Sequence, residues 1–298
     1  MSKGFHIWRI VARMVFLQKV GSQDLEHLLK LYSCDQPKYC TELQCLDNFF
    51  GLYTTRSHLK HVEAYTLPHQ ELGLFVIVDR YQMFVGCLDT ENSNDILEQA
   101  LHQLDWWGGI QCSTIRNRYA AVVGRVVQAK RLPLKFEMEN NLYFLPRKAA
   151  LELNVDVPSG FYLEALSQQD AHLVDTAWEW SHSGTLFFIE RQIATSTCVG
   201  LYREDNQELV AWCIRSQDGF LAALQVKNSH QRRGFGAVVV KEYSRRVALL
   251  GYDVTAEVCP SNKASSGLFQ KLGFKVIDQC SWLITVPAQG DFTWPDGE

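Results

Sequence analysis

Short apolar runs and amphipathic stretches alternate regularly from Gly160 to the end of the chain. Runs rich in β-branched and aromatic residues predict strands at GFYLEAL, CVGLY, ELVAWCIR, GFLAALQV, DVTAEVC, FKVI and SWLITV. Apolar residues three and four apart predict helices at SQQDAHLVDTAWEW, at TLFFIERQIATS, after Gly236 and at NKASSGLFQKL. The predicted order of elements is β-α-α-β-β-β-α-β-α-β. The last β in this order stands for two consecutive predicted strands, FKVI and SWLITV.

Residues at helix ends support two of these assignments. Ser167 is predicted to cap the first helix, with Asp170 at the capping-box position three residues later. The helix after Gly236 has Gly251 at the position where a helix usually ends. Its apolar face is predicted to comprise Val239, Val240, Tyr243, Val247 and Leu250.

The chain before Gly160 is mixed α and β in pattern and carries no chemical motif. Helices are predicted at GSQDLEHLLKLY, capped by Ser22, and at SNDILEQALHQL, capped by Ser93 or Asn94. Strands are predicted at Leu72–Val78 and Gln82–Leu88, and LPLKFEMENNLYFLP predicts two short strands around a turn at 139–141. Two prolines and a glycine within residues 146–160 indicate a domain boundary, called the seam below. We therefore predict an α/β domain over 1–150 and a second domain over 155–298.

Composition is that of a globular protein with a full core. The 298 residues are 47% hydrophobic and 21% charged, and the net charge of −4 argues against nucleic acid as a partner. The longest clean apolar run, Leu72–Val78, is too short to span a membrane. Nine cysteines without a C-x-x-C pair, and without histidines at zinc spacing, predict reduced and mostly buried thiols, an intracellular protein and no metal site.

The N-terminal segment allows two interpretations. Four basic residues lie between Lys3 and Lys19, and no acidic residue precedes Asp24. This pattern is typical of a mitochondrial presequence over residues 1–13, or of a first strand after a ragged start with Met14 as a second initiator. The compartment is accordingly expected to be the cytoplasm, with the mitochondrion as the alternative.

The candidate chemistry lies in the glycine-rich loop Gln231–Gly236, between a predicted strand and a predicted helix. The first N–H groups of a helix have no partner within the helix, and the helix dipole attracts anions there. Gly234 and Gly236 permit close backbone approach, and Arg232 and Arg233 supply donors suited to phosphate oxygens. The loop predicts a phosphate or pyrophosphate ligand, and a tight turn without a ligand is the alternative.

Two motifs together resemble the GNAT superfamily of acyl-CoA-dependent N-acyltransferases. The sequence QRRGFG at 231–236 is similar to that superfamily's Q/R-x-x-G-x-G/A loop, and NKASSGLFQKLGF at 262–274 is similar to its following Asn-initiated helix. The resemblance covers about Gly160 to Val286, and the length and the seam resemble the glycine N-acyltransferase-like branch. It implies a GNAT fold with a mixed central sheet, preceded by a degenerate GNAT-like α/β half.

The resemblance implies acyl-CoA as co-substrate and a small amine, such as glycine or another amino acid, as acceptor. Val226 would present its backbone to the pantetheine arm, and the loop would bind the pyrophosphate. Asn262 would contact the cofactor near the thioester, with Ser265 and Ser266 adding polar contacts. The cofactor-binding residues expected from this resemblance are Val226, Gln231, Arg232, Arg233, Gly234, Phe235, Gly236, Ala237, Asn262 and Ser265.

Two positions depart from the family's pattern. Phe269 stands where many members have a tyrosine acid, and Phe220 stands where the glycine N-acyltransferase branch has a glutamate base. Glu257, between apolar Ala256 and Val258, is the catalytic candidate because such surroundings raise a carboxyl pKa; the alternative is a side chain that points to solvent.

Weaker catalytic candidates are Asp218, His230 and Cys259. His230 is expected in a surface loop, and Cys259 is expected to be a buried strand cysteine. Gly267 in mid-helix costs ~1 kcal/mol relative to alanine, so either cofactor approach or packing must explain it. The competing functions are a GNAT-fold protein that binds acyl-CoA or a partner without turnover, and an acetyltransferase of protein N-termini or monoamines.

Overall fold

The computed structural model describes residues 16–55, 59–68, 70–287 and 289–292. The strands in these ranges are β1 (Gln18–Lys19), β2 (Val62–Thr66), β3 (Phe75–Asp79), β4 (Gln82–Gly86), β5 (Gln111–Arg116), β6 (Leu134–Leu145), β7 (Phe161–Glu164), β8 (Cys198–Arg203), β9 (Leu209–Arg215), β10 (Leu221–Val226), β11 (Val254–Val258) and β12 (Lys275–Thr285). The helices are α1 (Ser22–Tyr32), α2 (Cys40–Thr55), α3 (Ser93–His102), α4 (Asn117–Ala129), α5 (Arg147–Leu151), α6 (Ala171–Ala177), α7 (Thr185–Thr195), α8 (Phe235–Leu249) and α9 (Lys263–Lys271). The segment proposed as a presequence, residues 1–13, lies outside the described residues.

All of these strands form one mixed sheet in the order β1-β2-β3-β4-β5-β12-β6-β11-β10-β9-β8-β7. Most neighbours are antiparallel, and the pairs β4–β5 and β10–β11 are parallel. On the second half of the sheet, α8 and α9 cover one face and α6 and α7 the other. On the first half, α3 and α4 cover one face and α1 and α2 the other. The predicted mixed α/β class is confirmed.

Each of the two longest strands, β6 and β12, pairs with strands from the other half of the chain. β6 comes from the first part of the chain, yet it lies between β11 and β12 of the second part. β12 is the last strand in sequence, yet its other neighbour is β5 of the first part. Each half therefore completes its sheet with a strand from the other.

The first half repeats the arrangement of the second. β4, α3, β5 and α4 succeed one another as β10, α8, β11 and α9 do, with a parallel strand pair in each case. The loop before α3 carries Asp89 and Glu91, whereas the loop before α8 carries Arg232 and Arg233. Because acidic side chains repel phosphate, the loop of the second half is the one suited to an anion.

The structure agrees with the predicted element order from Gly160 onward and corrects several details. Residues 139–141 are not a turn, because β6 is one strand in which Asn140 pairs with Cys280. The last two predicted strands are likewise one strand, β12, with register shifts along it. The predicted helix after Ser167 is a short 3₁₀ turn, Gln168–Asp170, followed by α6, which already ends at Ala177. The predicted pair Ser167–Asp170 does form, and the Asp170 carboxylate accepts from the Ser167 N–H at 2.8 Å.

Helix ends account for the remaining corrections. The N-cap of α1 is Gly21 and that of α3 is Asn92, each one residue before the first predicted cap. The helix before Gly251 ends at Leu249, so Leu250 is exposed and does not extend the apolar face. The predicted strand at 72–78 begins only at Phe75, because Gly73 has a φ of 57° that interrupts an extended chain.

Buried polar contacts hold the two halves together. Asp79 at the end of β3 and Arg191 on α7 form an ion pair that is almost fully buried. The Asn48 side chain of α2 donates to the carbonyls of Ser216 and Gln217 at 3.1 and 3.2 Å. These contacts fix the turn between β9 and β10, residues 216–220, against the first half.

We expect Asp79→Ala to lower the free energy of unfolding by about 3–5 kcal/mol, because it removes one partner of a buried ion pair while the Arg191 guanidinium stays in the interior. Asp205→Ala is the control, since its ion pair with Arg203 is exposed and such pairs contribute about 0–1 kcal/mol. Urea unfolding of the full chain at pH 7 measures both. Equal losses in the two variants would contradict a structural role for the buried pair.

Candidate functional site

β10 and β11 separate soon after they pair. Their parallel register is limited to Leu221 opposite Ala256. β10 then leaves its regular course at an irregularity between Ala222 and Gln225, where Ala223 has a φ of 48°. The gap beyond the Leu221–Ala256 pair, called the strand opening below, leaves the edge of β10 up to Val226 unpaired with β11.

The loop from Gln231 to Ala237, called the anion loop below, lies at the end of the strand opening. The Gln231 amide donates to Asn228 Oδ1 at 3.0 Å and thereby ties the loop to the turn after β10. Arg232 has a φ of 61° and Gly234 a φ of 82°, and Gly234 is the N-cap of α8. This alternation of backbone conformations turns successive N–H groups toward one side, which is how backbone concavities bind anions.

The donors of the anion loop are available. Among the described residues, the backbone N–H groups from Arg232 to Gly236 have no hydrogen-bond acceptor outside the helix, and the Ala237 N–H bonds to the Gly234 carbonyl at 3.0 Å. The side chains of Arg232 and Arg233 are exposed, and within the part of the chain that the structure describes neither forms an ion pair. The loop thus presents backbone donors, a helix N-terminus and two free guanidinium groups together.

Phe235 contributes its backbone to the loop while its side chain serves as an anchor. The ring is buried and lies 4.7 Å from the ring of Phe161 and 6.0 Å from that of His230. His230 is itself 6% exposed and its Nδ1 lies 2.8 Å from the Ser229 hydroxyl. The expectation of a surface histidine was wrong, because the aromatic contacts hold His230 in the interior.

The start of α9 lies after the turn that follows β11. Asn262 is the N-cap, and its Oδ1 accepts from the Ser265 N–H at 3.0 Å. The Asn262 side chain is exposed and the Ser265 side chain is partly exposed. The sequence-derived cofactor residues therefore fall on three segments: the end of β10, the anion loop and the first turn of α9.

Two glycines near these segments have free space around them. A Cβ atom added at Gly267 would meet nothing within 4 Å, and neither would one added at Gly234. At Gly236 the nearest atoms would be side-chain carbons of Leu268 and Val226 at 3.6 Å, an ordinary contact. Protein packing therefore does not require glycine at 267.

Glu257 lies one residue beyond Ala256, the position of β11 that pairs with β10, and therefore where these two strands separate. Its side chain is partly exposed and reaches across β6 to β12. Its carboxylate accepts from the Cys280 thiol and from the Trp282 indole N–H, each at 2.6 Å. The alternative of a carboxylate that simply points to solvent is therefore not what the structure shows.

The surroundings of Glu257 favour its neutral form. Burial, followed by the charge of Asp218, raises the pKa of Glu257 to about 7, and hydrogen bonds from Cys280, Trp282 and Thr114 offset part of this effect. Burial raises the pKa of the Cys280 thiol as well, so Cys280 stays protonated and acts as a donor. A carboxyl group with this pKa exchanges protons near neutral pH, as a general base must.

Phe269 and Phe220, which stand where the family's pattern has proton-transfer residues, are core residues. Phe269 is 2% exposed, and its ring lies 5.6 Å from that of Tyr143 and 5.0 Å from that of Phe274. Phe220 is equally buried and packs with Leu142 and Cys280. Neither position presents a polar group to the strand opening.

Cys259 directly follows β11 and is partly exposed, so the expectation of a buried strand cysteine was wrong. Its thiol lies 3.0 Å from the Ser261 hydroxyl, and hydrogen bonds from Ser261 lower the pKa of the thiol. Seven of the other cysteines are buried and Cys34 is exposed, which agrees with free, mostly buried thiols.

Sequence reasoning missed Cys280 and Trp282, which donate hydrogen bonds to Glu257, and Thr114, which donates to Asp218. Cys280 and Trp282 are two residues apart on β12 and therefore share a face with Glu257 across β6. That alternation was a usable signal. Thr114 gave no such signal, since it comes from β5 of the first half.

Across the described ranges, no cluster of three or more histidine, cysteine or acidic side chains is arranged to hold a metal ion. None of the described helices is both long and apolar enough to cross a membrane.

Comparison with known proteins agrees with this architecture. The family model described as FR47-like protein matches residues 198–283, from β8 to β12. A Drosophila protein of known structure superposes with a TM-score of 0.81 at 21% identity, covering 92% of this chain and 100% of that one. A search of curated proteins by sequence found no match.

Two further solved structures are described as GNAT proteins. A tandem GNAT protein from the clavulanic acid biosynthesis pathway has a TM-score of 0.55 at 11% identity, covering 91% of this chain and 98% of that one. A GCN5-related N-acetyltransferase from Sphaerobacter thermophilus has a TM-score of 0.51 at 12% identity, covering 91% and 95%. The chain therefore has a GNAT fold in its second half with a second GNAT-like half before it, as the sequence predicted.

We expect Gly267→Ala to stabilise the ligand-free protein by about 0.5–1 kcal/mol, because alanine favours a helix interior, and to weaken coenzyme A binding about tenfold. Gly124→Ala is the matched control, since Gly124 is also a mid-helix glycine with nothing within 4 Å of an added Cβ. Urea unfolding and calorimetric titration with coenzyme A measure the two effects. Equal coenzyme A affinities in both variants would remove ligand approach as the reason for Gly267.

We expect the raised pKa of Glu257 to make stability depend on pH. Between about pH 4.5 and 7 the folded protein holds a proton on Glu257 that the unfolded chain has released, so this group's contribution to the free energy of unfolding falls as the pH rises through that window. The difference in unfolding free energy between wild type and Glu257→Gln should therefore fall by about 2 kcal/mol from pH 5 to pH 8. Glu137→Gln, on the exposed part of β6, is the control. A difference that is independent of pH would show that the Glu257 pKa is not raised.

Proposed function

We propose that this protein is an acyl-CoA-dependent N-acyltransferase. The observation that carries the proposal is the placement of Glu257 at the strand opening, with the anion loop and the first turn of α9 on the same two β-α connections. In this proposal Glu257, as proton acceptor, and the anion loop, as phosphate-binding site, both border the strand opening. The GNAT fold supports acyl transfer as the general reaction class.

In the proposed complex the anion loop binds the pyrophosphate of acyl-CoA. The N–H groups of residues 232–236 and the helix dipole act on the phosphates, and Arg232 and Arg233 add charge. The unpaired edge of β10 near Val226 accepts the pantetheine amides, and Asn262 and Ser265 lie near the thioester end. The acyl chain, acetyl or longer, occupies the strand opening.

The proposed reaction is direct transfer without a covalent intermediate. Glu257, ionised above about pH 7, takes a proton from the acceptor ammonium, and the neutral amine attacks the thioester carbonyl. Backbone N–H groups of the unpaired β10 edge stabilise the oxyanion. Because Phe269 is buried and carries no hydroxyl, the tetrahedral intermediate expels the thiolate without help from that position. The attacking nitrogen releases its second proton to solvent water as the amide forms, and water protonates the thiolate.

The acceptor is proposed to be a small amine such as glycine or another amino acid, on the basis of the sequence resemblance to the glycine N-acyltransferase-like branch. The buried Phe220 weighs against a base at that branch's usual position, and Glu257 takes over this role in the proposal. The intracellular location, cytoplasmic or mitochondrial, stays a prediction.

The second candidate function is a GNAT-fold protein that binds acyl-CoA without turnover. The observation that favours it is the burial of both Phe220 and Phe269, which removes the proton-transfer groups of the family from their expected places. The two candidates differ in whether thiol is released.

The test follows thiol release from acetyl-, benzoyl- and longer acyl-CoA against a panel of amino acids and monoamines. We expect release with a small amine, and we expect Gly234→Asp to weaken coenzyme A binding at least a hundredfold by placing a negative charge in the anion loop. Gly160→Asp is the matched control, because Gly160 has nearly the same φ of 83° and equally free space but lies on another turn. Binding without release favours the second candidate, and unchanged binding in Gly234→Asp refutes both.

A further inference from the structure

A cleft lies between the two halves of the chain, at the end of the sheet opposite the anion loop. Its volume is about 430 Å³, which is within the range of small-molecule sites. One wall is α2 of the first half, and the other is formed by the end of α7, residues 195–197 and Arg215 at the end of β9. Arg215 pairs with Leu221 at the start of β10, whereas the anion loop follows the end of that strand. The six residues of β10 span about 20 Å, so the cleft is remote from the acyl-CoA site proposed above.

Arg215 brings a buried positive charge to this cleft. The residue is 4% exposed, and it forms no ion pair within the part of the chain that the structure describes. Its Nε donates to the Gly219 carbonyl at 3.3 Å and its Nη2 to Gln44 Oε1 at 3.4 Å, and both distances are long for hydrogen bonds. A guanidinium group has five N–H donors, so most of those on Arg215 have no acceptor among the described residues. Because a buried charge is costly unless it is paired, Arg215 is suited to an anionic group of a ligand.

The Ser196 hydroxyl is a second polar group on the same wall. It is buried and has no hydrogen-bond partner among the described residues. Neighbouring polar groups are satisfied instead, since the Gln192 amide donates to the Arg215 carbonyl and the Thr195 hydroxyl to the Arg191 carbonyl, each at 2.7 Å. The wall of the second half therefore offers a cation and an unpartnered hydroxyl to the cleft.

The wall of the first half carries the opposite charge. Asp47 and Asn48 of α2 line the cleft, and Asp47 is partly exposed and forms no ion pair with Arg215 or with any other described residue. The Asn48 side chain donates to the carbonyls of residues 216 and 217 through its nitrogen, so its oxygen remains as an acceptor. Gly51, one turn after Asp47, also lines the cleft, and a Cβ atom added there would meet nothing within 4 Å.

These charges favour a ligand that carries both signs. Arg191 lines the cleft as well, but Asp79 compensates its charge, which leaves Arg215 and Asp47 as the uncompensated pair among the described lining residues. α7 ends at the cleft with Thr195, and a helix C-terminus carries roughly half a negative charge. A dianion such as phosphate would be repelled by Asp47 and by this helix end, whereas a zwitterion meets a complementary charge on each wall.

We propose that the cleft binds a free α-amino acid. Its carboxylate is bound by the Arg215 guanidinium, which suits a pair of parallel hydrogen bonds, and by the Ser196 hydroxyl. Its ammonium group is bound by the Asp47 carboxylate and the Asn48 side-chain oxygen. Binding here requires neither acyl-CoA nor the acceptor position beside Glu257, so the inference does not rest on the proposed function.

The test is calorimetric titration of the full chain with L-alanine, L-serine, L-leucine and L-glutamine, followed by two analogues of the tightest-binding one. The amide analogue lacks the carboxylate, and the N-acetyl analogue lacks the ammonium charge. We expect saturable binding of at least one amino acid. Each analogue should bind at least about tenfold more weakly, because each loses the charge-assisted contacts with one wall.

Variants then locate the binding. Arg215→Gln and Asp47→Asn should each weaken it at least about tenfold, whereas Asp205→Asn, at an exposed ion pair elsewhere, should not. Gly51→Leu fills the cleft without changing a charge and should abolish binding. Gly124→Leu is its matched control, since Gly124 is also a mid-helix glycine with open space around an added Cβ. If Arg215→Gln does not fold, Asp47→Asn and Gly51→Leu decide.

The absence of saturable binding, or unchanged affinity in Asp47→Asn and Gly51→Leu, would overturn the proposal. Equal affinity for the amino acid and its N-acetyl analogue would overturn the zwitterion as the ligand class. Loss of binding in Glu257→Gln with retention in Gly51→Leu would place the amino acid at the acceptor position and overturn this site. Thiol release is not part of the measurement, so a failure of the proposed function leaves the result unaffected.

Discussion

The hydrogen bonding of β6 to β12 is the constraint on which the rest of the structure depends. These strands are the centre of the sheet, and each has its second neighbour in the opposite half. Because β12 joins β6 to β5, a strand of the first half lies within side-chain reach of Glu257 on β11. The buried Asp79–Arg191 ion pair and the contacts of Asn48 then hold the two halves together, and the Asn48 contacts fix the turn that carries Asp218.

The candidate site combines two kinds of local structure. The anion loop follows from residues next to one another: a left-handed glycine, a helix start and two arginines. The contacts of Glu257 follow instead from residues far apart in sequence, and desolvation of its carboxyl group, followed by the charge of Asp218, raises its pKa. In the proposed function the loop binds the pyrophosphate of acyl-CoA, and Glu257 sets the pH range in which the acceptor amine loses its proton.

The same division explains what the sequence could predict. The anion loop, the Asn262 cap and the element order after Gly160 rest on local signals, and the structure contains each of them. α2 was missed because its buried side chains include Thr41, Glu42 and Gln44, which interrupt an apolar periodicity. β6 was divided in two because Glu139–Asn141 resembles a turn, although pairing with β12 keeps it extended. The contact of Thr114 with Asp218 joins residues 104 positions apart and depends on a bulge, so no local sequence pattern predicts it.

The exchange of β6 and β12 also governs the order in which the protein can fold during synthesis. β5 and β6 emerge early, yet their shared neighbour, β12, is the last of the described strands. Until residues 275–285 are made, β5 has an open edge and the two halves have no joined sheet. Contacts between residues so far apart in sequence form slowly, and open strand edges favour aggregation. The nascent chain therefore has to remain soluble with an incomplete sheet until residues 275–285 leave the ribosome.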